Sequence, residues 1–385
     1  MRLSLRVLAA NATILILLTC GMIDRNERAP AVVTASMAVL DMAMSGSGGQ
    51  PTIWSTNNDS CLDTQSLTTT IKIVDATSIF ALVKSGQTIA GTFGEINCSS
   101  ASLRLYKQWD GSDMPTGGIV ATSPIGFPII GNREYECELQ RFIGTNDGHS
   151  RMGITLSIQD TVTKRKSAVT SWYVAGSPTT AGCMWGAPGV RLEAGSIILK
   201  RFCYGTECRN PKIAVLGDSI VEGNSIADNR DQRWATLLIK ESGAPGVISG
   251  HGGANSSELL TRLPTDLIHI KPRYAVCLIG SNDTVYETWL ANIMTFVEAC
   301  RSIKAIPILV TIPPNANKQA FVNQANAWIL SSGHHYIDAA LVLTNNNDRR
   351  TWNPAFVLPD HVHPSMAGHA AIAARAHVDC PFLFQ

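Results

Sequence analysis

Ser219 stands where a nucleophile could act. It follows the apolar run of residues 213–216 and the pair Gly217-Asp218. A serine on a tight turn at the carboxyl end of a strand exposes its hydroxyl, and its own backbone N–H can face a developing oxyanion. No serine of the chain lies in a Gly-x-Ser-x-Gly pattern, so the nucleophile elbow of the α/β-hydrolases is not an alternative. Asp218 is expected to hold the turn as an N-cap.

Three further stretches follow Ser219 in order, each where a strand-exit loop or a helix entry is expected. They are the glycine-rich residues 249–256, Gly280-Ser281-Asn282-Asp283 after the next apolar run, and Asp360-His361-Val362-His363 before the last helix. A serine hydroxyl needs an imidazole to take its proton, and that imidazole needs an acceptor on its other nitrogen. An asparagine amide supplies N–H donors to an oxyanion. These residue types together predict nucleophilic catalysis by a serine.

In this order the stretches resemble the four sequence blocks of the SGNH, or GDSL, hydrolases: Gly-Asp-Ser, a glycine, Gly-x-Asn-Asp and Asp-x-x-His. The resemblance implies Ser219 as the nucleophile, His363 as the general base and Asp360 as the carboxylate that orients the imidazole. It implies an oxyanion hole made by the backbone N–H groups of Ser219 and Gly253 and by the side-chain amide of Asn282. It implies a carboxylic ester hydrolase that forms an acyl-Ser219 intermediate without a cofactor or a metal ion.

Some alternatives stay open within this resemblance, which covers about residues 212–385. Val221 stands where many members have Thr or Ser, and the second block lacks the Asn that often precedes its glycine. A backbone carbonyl could orient the base instead of Asp360. Other candidates exist for two of the roles: for the base, His251, His361 and His369, and for the second-block glycine, Gly250 and Gly252. His361 is expected to be exposed or packed in a loop, and Asp283 to hold a turn.

Residues 210–385 alternate between strand-like and helical patterns. Short apolar runs predict buried strands at 212–216, 246–249, 273–279, 306–312 and 335–338. Helical patterns lie between and after them, at 232–241, 256–263, 285–304, 318–330 and 365–378. This alternation predicts an α/β fold with a doubly wound, mostly parallel, five-stranded sheet of the flavodoxin-like SGNH type, whose ligands bind at the carboxyl ends of the strands.

Residues 51–209 show a different pattern. Short β-rich segments separated by Gly, Pro, Asn and Asp predict a β-sandwich, with strands at 69–74, 78–83, 102–107, 127–130, 135–142, 153–159, 168–174 and 195–202. We expect an accessory domain, either one that binds carbohydrate or one that serves as a spacer or display module.

Residues 1–50 are interpreted as a signal-like leader and a linker. Arg2 and Arg6 precede an apolar run that is shorter than the ~20 residues of a membrane span. Leu17-Leu18-Thr19-Cys20 resembles a bacterial lipobox, so Cys20 is a candidate lipid anchor. Residues 45–51 are rich in Gly and Ser and predict a flexible linker. These features favour a secreted or cell-surface protein, or a part of a phage or surface structure.

Composition narrows the function classes. Of the 385 residues, 45% are hydrophobic and 16% charged, which is typical of a folded protein, and a net charge of +1 provides no field for binding nucleic acid. Ten cysteines are common in exported proteins, and their pairing stays open, although Cys277 and Cys300 are expected to be buried thiols.

The predicted activity is hydrolysis of short-chain acyl esters, above all acetyl esters on a carbohydrate. Two alternatives stay open. One is a lipase, lysophospholipase or thioesterase with the same triad, or an acetyltransferase. The other is a non-catalytic surface or adhesion protein that keeps the SGNH fold.

Overall fold

The structure is a computed structural model that describes residues 36–46, 52–55, 65–85, 91–109, 118–172, 187–205 and 211–385. The signal-like residues and Cys20 lie outside the described residues. Within the described ranges, no helix combines the length and the apolar content needed to cross a bilayer.

The first part of the chain is an antiparallel β domain. Its strands are β1 (Ser36–Gly46), β2 (Thr52–Ser55), β3 (Gln65–Ile73), β4 (Ile79–Ser85), β5 (Gly91–Asn97), β6 (Ser102–Trp109), β7 (Ile119–Pro124), β8 (Arg133–Asn146), β9 (His149–Asp160), β10 (Lys166–Trp172) and β11 (Ala187–Gly205). The main path is β10-β9-β8-β3-β11-β4-β5-β6-β7, and β1 and β2 also pair with β11. The first half of β11 pairs with β4 and β2, and the second half with β3 and β1, so this long strand joins two groups of strands.

Side chains that alternate between buried and more exposed positions along the strands form the core of this domain. Along β8, Tyr135, Cys137 and Leu139 are buried while their neighbours are more exposed, as expected for a strand with one face on a core. Leu139 and Leu156 approach Gly94 of β5, where an added Cβ would lie 3.1 and 3.0 Å from their methyl groups. The glycine therefore makes room for two core leucines.

Three sequence expectations for this part differ from the structure. Residues 127–130 form no strand, because the Ile130 N–H donates to the Tyr135 hydroxyl at 2.7 Å instead of to a neighbouring strand. The strands β2, β5 and β7 were not predicted. The strand β1 lies in the range assigned to the leader and linker and pairs with β11 from Ser36↔Tyr204 to Gly46↔Gly195.

The second part is an α/β domain, as predicted. Its strands are β12 (Ile213–Gly217), β13 (Gly246–Gly250), β14 (Tyr274–Leu278), β15 (Ile306–Val310) and β16 (His335–Ile337). Its α-helices are α1 (Ser219–Glu222), α2 (Trp234–Ser242), α3 (Ser256–Leu263), α4 (Tyr286–Ser302), α5 (Gln319–Ser331), α6 (Ala339–Val342) and α7 (Met366–Asp379). All strand pairs are parallel, in the order β13-β12-β14-β15-β16. The five predicted strands and the five predicted helices are all present.

Helices cover both faces of this sheet. Trp234 of α2 and Ile372 of α7 belong to one buried cluster with Val215, and Trp289 of α4 and Phe321 of α5 belong to the other. Strands buried on both faces read as continuous apolar runs, which is why the short apolar runs of the sequence located them. After β12 the chain first adds β13 on one side of it and then β14 on the other, so the strand order reverses at β12. Ligands bind at such switch points in open α/β sheets.

Candidate active site

The turn after β12 presents Ser219. Asp218 caps α1, because its carboxylate accepts the Ile220 N–H at 3.0 Å. A Cβ on Gly217 would collide with the Leu278 carbonyl oxygen and with Val221, so only glycine fits at that position. Burial raises the pKa of Asp218 to about 6, and hydrogen bonds from Ile220 and Ser281 offset only part of that rise.

A chain of short hydrogen bonds leads from Ser219 through His363 to Asp360. Ser219 Oγ lies 2.8 Å from His363 Nε2, and His363 Nδ1 lies 2.7 Å from Asp360 Oδ2. These distances allow the imidazole to take the hydroxyl proton while the carboxylate holds the other ring nitrogen. The side chains of His363 and Asp360 are 26% and 47% exposed, so the relay is open to solvent on this side.

The Asp360 carboxylate is fixed by its own turn. Its Oδ1 accepts the backbone N–H groups of Val362 and His363, both at 2.9 Å. Burial acts to raise its pKa, but the hydrogen bonds from His363 and Val362 outweigh that effect, and the pKa of Asp360 lies below its ordinary value. The carboxylate is therefore ionised at neutral pH and oriented towards the imidazole.

The loops after β13 and β14 meet beside Ser219. Asn282 donates from Nδ2 to the Ala254 carbonyl at 2.8 Å. Asp283 accepts the Ser256 N–H at 3.0 Å and the Ser256 hydroxyl at 2.5 Å, so its carboxylate links the two loops rather than holding its own turn. Gly253 has φ +81°, in the left-handed region that glycine tolerates best. The structure thus brings the predicted block residues to one edge of the sheet.

Glu222 is a buried contact that the sequence did not single out. Its side chain is fully buried, and Oε2 accepts the Gly252 N–H at 2.7 Å. A Cβ on Gly250 would collide with the backbone of Glu222, so the two segments approach closely. Arg230 lies against this group, with Nη2 3.8 Å from Glu222 Oε1. Glu222 therefore joins the nucleophile turn to the glycine-rich loop.

Arg262 is a second residue that sequence reasoning missed. Its fully buried guanidinium donates to the Gly217 carbonyl at 2.7 Å and to the Ser249 carbonyl at 2.8 Å. It thereby ties together the carboxyl ends of β12 and β13. The available signal was an arginine between Leu259 and Leu263 on the apolar face of α3, because such a charge is buried only when it is paired or hydrogen-bonded.

The competing histidines make other contacts. His251 is buried, with Nδ1 2.5 Å from Glu258 Oε1. His361 is exposed and has φ +54°. His369 is buried, with Nδ1 accepting the Trp234 N–H at 3.3 Å and Nε2 3.5 Å from Ser225 Oγ. Of these four histidines, His363 is the one that meets Ser219.

His369 predicts an acid-sensitive contribution to stability. Burial, with Arg233 and His363 nearby, lowers its pKa to about 3, while an unfolded chain takes up the proton near pH 6.5. The unfolded state therefore binds more protons below pH 6.5, and the free energy of unfolding falls as the pH falls towards 3. Asp218, with its raised pKa, has the opposite effect between its unfolded value of 3.8 and about 6, so a variant comparison is needed to isolate His369.

His369→Asn keeps an acceptor for the Trp234 N–H and removes the titrating group. We expect this variant to be less stable than the wild type at pH 7. The difference between their free energies of unfolding should narrow by about 2 kcal/mol from pH 7 to pH 5, because only the wild type loses the contribution of His369. Urea unfolding at a series of pH values measures this difference. A difference that stays constant over this range would show that His369 is not buried and neutral in the native protein.

The second part of the chain is thus a parallel α/β sheet with Ser219, His363 and Asp360 hydrogen-bonded in series at its carboxyl edge. Residues 215–371 match the model of the GDSL-like Lipase/Acylhydrolase family, which confirms the resemblance seen in the sequence. This part of the chain is a GDSL-like lipase/acylhydrolase domain, and such domains are carboxylic ester hydrolases.

Known proteins resemble parts of the chain. The uncharacterized lipoprotein YqeF of Bacillus subtilis is 29% identical in an alignment of 118 residues that covers 26% of this chain and 48%, about half, of that relative. An acetylxylan esterase from Geobacillus stearothermophilus is 19% identical, with 44% of this chain and 93% of that chain covered and a TM-score of 0.37. An α/β hydrolase enzyme from the metagenome of Lake Arreo is 20% identical, with 45% and 96% covered and a TM-score of 0.38.

Proposed function

We propose that this protein hydrolyses short acyl esters, above all acetyl esters on a carbohydrate, through an acyl-Ser219 intermediate. The observation that carries the proposal is the relay from Ser219 Oγ to His363 Nε2 at 2.8 Å and from His363 Nδ1 to Asp360 at 2.7 Å. In it Ser219 attacks the ester carbonyl, His363 takes its proton and then passes it to the leaving alcohol, and Asp360 stabilises the imidazolium.

The oxyanion hole follows from the loops beside Ser219. Of the glycines in the second loop, Gly250 lies within β13 and Gly252 donates to Glu222, which favours Gly253 as the donor. Asn282 holds the Ala254 carbonyl with its amide nitrogen, which has two N–H groups, so the second can serve an oxyanion. The N–H of Ser219, at the first position of α1, completes the proposed set.

Short connections at the carboxyl edge favour a small acyl group. Residues 251–255 join β13 to α3, residues 279–285 join β14 to α4, and residues 311–318 join β15 to α5. The longest connection, from β16 to α7, carries Asp360 and His363. Among the connections that follow the five strands, the α-helices are the four-residue α1 and α6, which are too short to cover a long acyl chain.

Polar groups near the site favour a polar alcohol as the other half of the ester. Lys318 donates from Nζ to the Ser281 carbonyl at 3.2 Å, which places its charge beside the Asn282 loop. Asn317 is exposed in the same connection after β15, whereas Asn315 is buried and caps this turn. A sugar presents hydroxyl groups that such side chains can bind. We also propose that the β domain is an accessory domain with the two-layer form of a sandwich, and that it binds glycan.

The test is kcat/KM for aryl esters with acyl chains from C2 to C12, together with acetate release from acetylated polysaccharide. We expect the highest value at acetyl and no gain with chain length. Each buried CH₂ contributes ~0.8 kcal/mol, so a lipase groove would raise kcat/KM about fourfold per carbon. A steady rise to C8 or beyond would assign the lipase or thioesterase function instead. If the protein neither hydrolyses any of these esters nor is labelled at Ser219 by a fluorophosphonate, the remaining alternative is the non-catalytic binding or adhesion protein.

We further propose an extracellular location. The leader and Cys20 lie outside the described residues, and the relative YqeF carries the name lipoprotein. Release of the protein from membranes after Cys20→Ser would support a lipid anchor.

A further inference from the structure

The β8–β9 hairpin of the β domain contacts the α/β domain just beyond the nucleophile turn. Arg151 of β9 donates from Nε to Asp228 Oδ1 at 2.7 Å, and its side chain is only 8% exposed. The neighbouring backbone of Ser150 pairs with Asn229. Ile143 of β8, with residues of α2 and β13, lines a cavity of about 210 Å³. The hairpin therefore lies against the side of the α/β domain on which α1 leads into α2.

Contacts within the hairpin itself hold the Arg151 guanidinium in the position from which it binds Asp228. Nη1 of Arg151 donates to Asn146 Oδ1 at 3.0 Å and lies 3.4 Å from Asp147 Oδ2, both at the tip of the same hairpin. A planar guanidinium with several fixed donors loses little freedom when it forms a further hydrogen bond. The contact is therefore a rigid one between two segments.

The segment that receives this contact, residues 224–232, continues to the active site at two places. Arg230 is fully buried and donates to the Glu222 backbone carbonyl, and the Glu222 carboxylate in turn holds the Gly252 N–H. Ser225 donates from Oγ to the Pro364 carbonyl at 3.1 Å, one residue after His363. The same segment therefore contacts the loop of the base directly and is connected to the loop of the oxyanion hole through Glu222.

We propose that the β8–β9 hairpin positions the catalytic centre, with Arg151 and Asp228 as positioning residues that act through residues 224–232. The inference rests on the esterase function proposed above. Oxyanion donors are effective only when they are fixed before charge develops, and displacements of about 1 Å can cost ~10²-fold in rate. Loss of the contact therefore lowers kcat even for a small soluble ester that a glycan-binding surface does not touch.

The experiment uses the full chain and an aryl acetate, with kcat expressed per site titrated by a fluorophosphonate. We expect Arg151→Ala to lower kcat and the rate of fluorophosphonate labelling together, by about 5- to 30-fold, with KM within twofold. Asp228→Ala should match it, and the double variant should lose no more than either single one. Arg151→Asp combined with Asp228→Arg should recover part of kcat. Arg151→Lys keeps the charge without the planar fork, so its kcat should lie between those of the wild type and Arg151→Ala. This variant also tests the inference if the alanine variant does not fold.

Arg133 provides a matched control at the other end of the same hairpin. Its Nη1 lies 2.8 Å from Asp160 Oδ2, with Asp160 buried, so Arg133→Ala breaks a comparable ion pair away from residues 224–232. We expect it to lower the melting temperature and leave kcat within twofold. If Arg151→Ala and Arg151→Lys also lower only the melting temperature, or if Arg133→Ala lowers kcat equally, the inference is overturned. A wild-type protein with neither turnover nor labelling would overturn the proposed function itself.

Discussion

Replacement of Ser219 by alanine is expected to leave a folded protein whose ester hydrolysis is at least ~10³-fold slower. The hydroxyl is the group that would form the acyl intermediate, and the remaining oxyanion donors cannot replace a covalent step. The substitution removes one oxygen atom at the start of α1, while the Asp218 cap on Ile220 remains. The measurement is kcat/KM for an aryl acetate, with circular dichroism as the check on folding. Retention of more than a tenth of the activity would contradict the role of Ser219.

His363→Ala should cause a similar loss, and the double variant should lose little more. The two side chains act as one unit, since the hydroxyl is a poor nucleophile without the imidazole 2.8 Å away. His361→Ala is the matched control, because His361 is two residues away and exposed, and it should retain the wild-type rate. Additive losses from Ser219→Ala and His363→Ala would mean that a different group serves as the base.

The sequence predicted the α/β domain well because its signals are local. Strands buried on both faces are short apolar runs, and each ends in a stretch with a recognisable residue type. The order of those stretches was enough to predict that Ser219, Asn282 and His363 share one edge of the sheet. The helix 256–263 was predicted with both ends correct, because Asn255 precedes it as an N-cap and Pro264 follows it.

The supporting contacts could not be predicted in this way because they depend on distant segments. Glu222 and Gly252 are far apart in sequence, and neither residue type identifies the other. Arg151 and Asp228 lie in different parts of the chain, where each reads as an ordinary surface charge. In the β domain, β1 was missed because the glycines near its end favoured a linker. Its strand conformation depends on pairing with β11, which is distant in sequence and leaves no local signal.

Asn282 is the residue whose replacement tests the oxyanion hole. Asn282→Ala should lower kcat about 10²- to 10³-fold with little change in KM, because a donor to the oxyanion strengthens its bond only in the transition state. The measurement is the separate determination of kcat and KM for an aryl acetate. A change confined to KM would assign Asn282 to substrate binding.

The Asn282 side chain also links two loops, so its two contributions need to be separated. It donates to the Ala254 carbonyl at 2.8 Å, and the alanine variant loses this bond together with the proposed oxyanion donor. Ser256→Ala weakens a different link between the same loops: it removes the 2.5 Å hydrogen bond from the Ser256 hydroxyl to Asp283, keeps the backbone N–H bond to Asp283, and leaves every proposed oxyanion donor in place. If loop geometry alone explained the effect, both variants would lose kcat to a similar extent. We expect Ser256→Ala to lower the melting temperature and to lose far less kcat than Asn282→Ala, because a transition-state charge is stabilised by the donor itself.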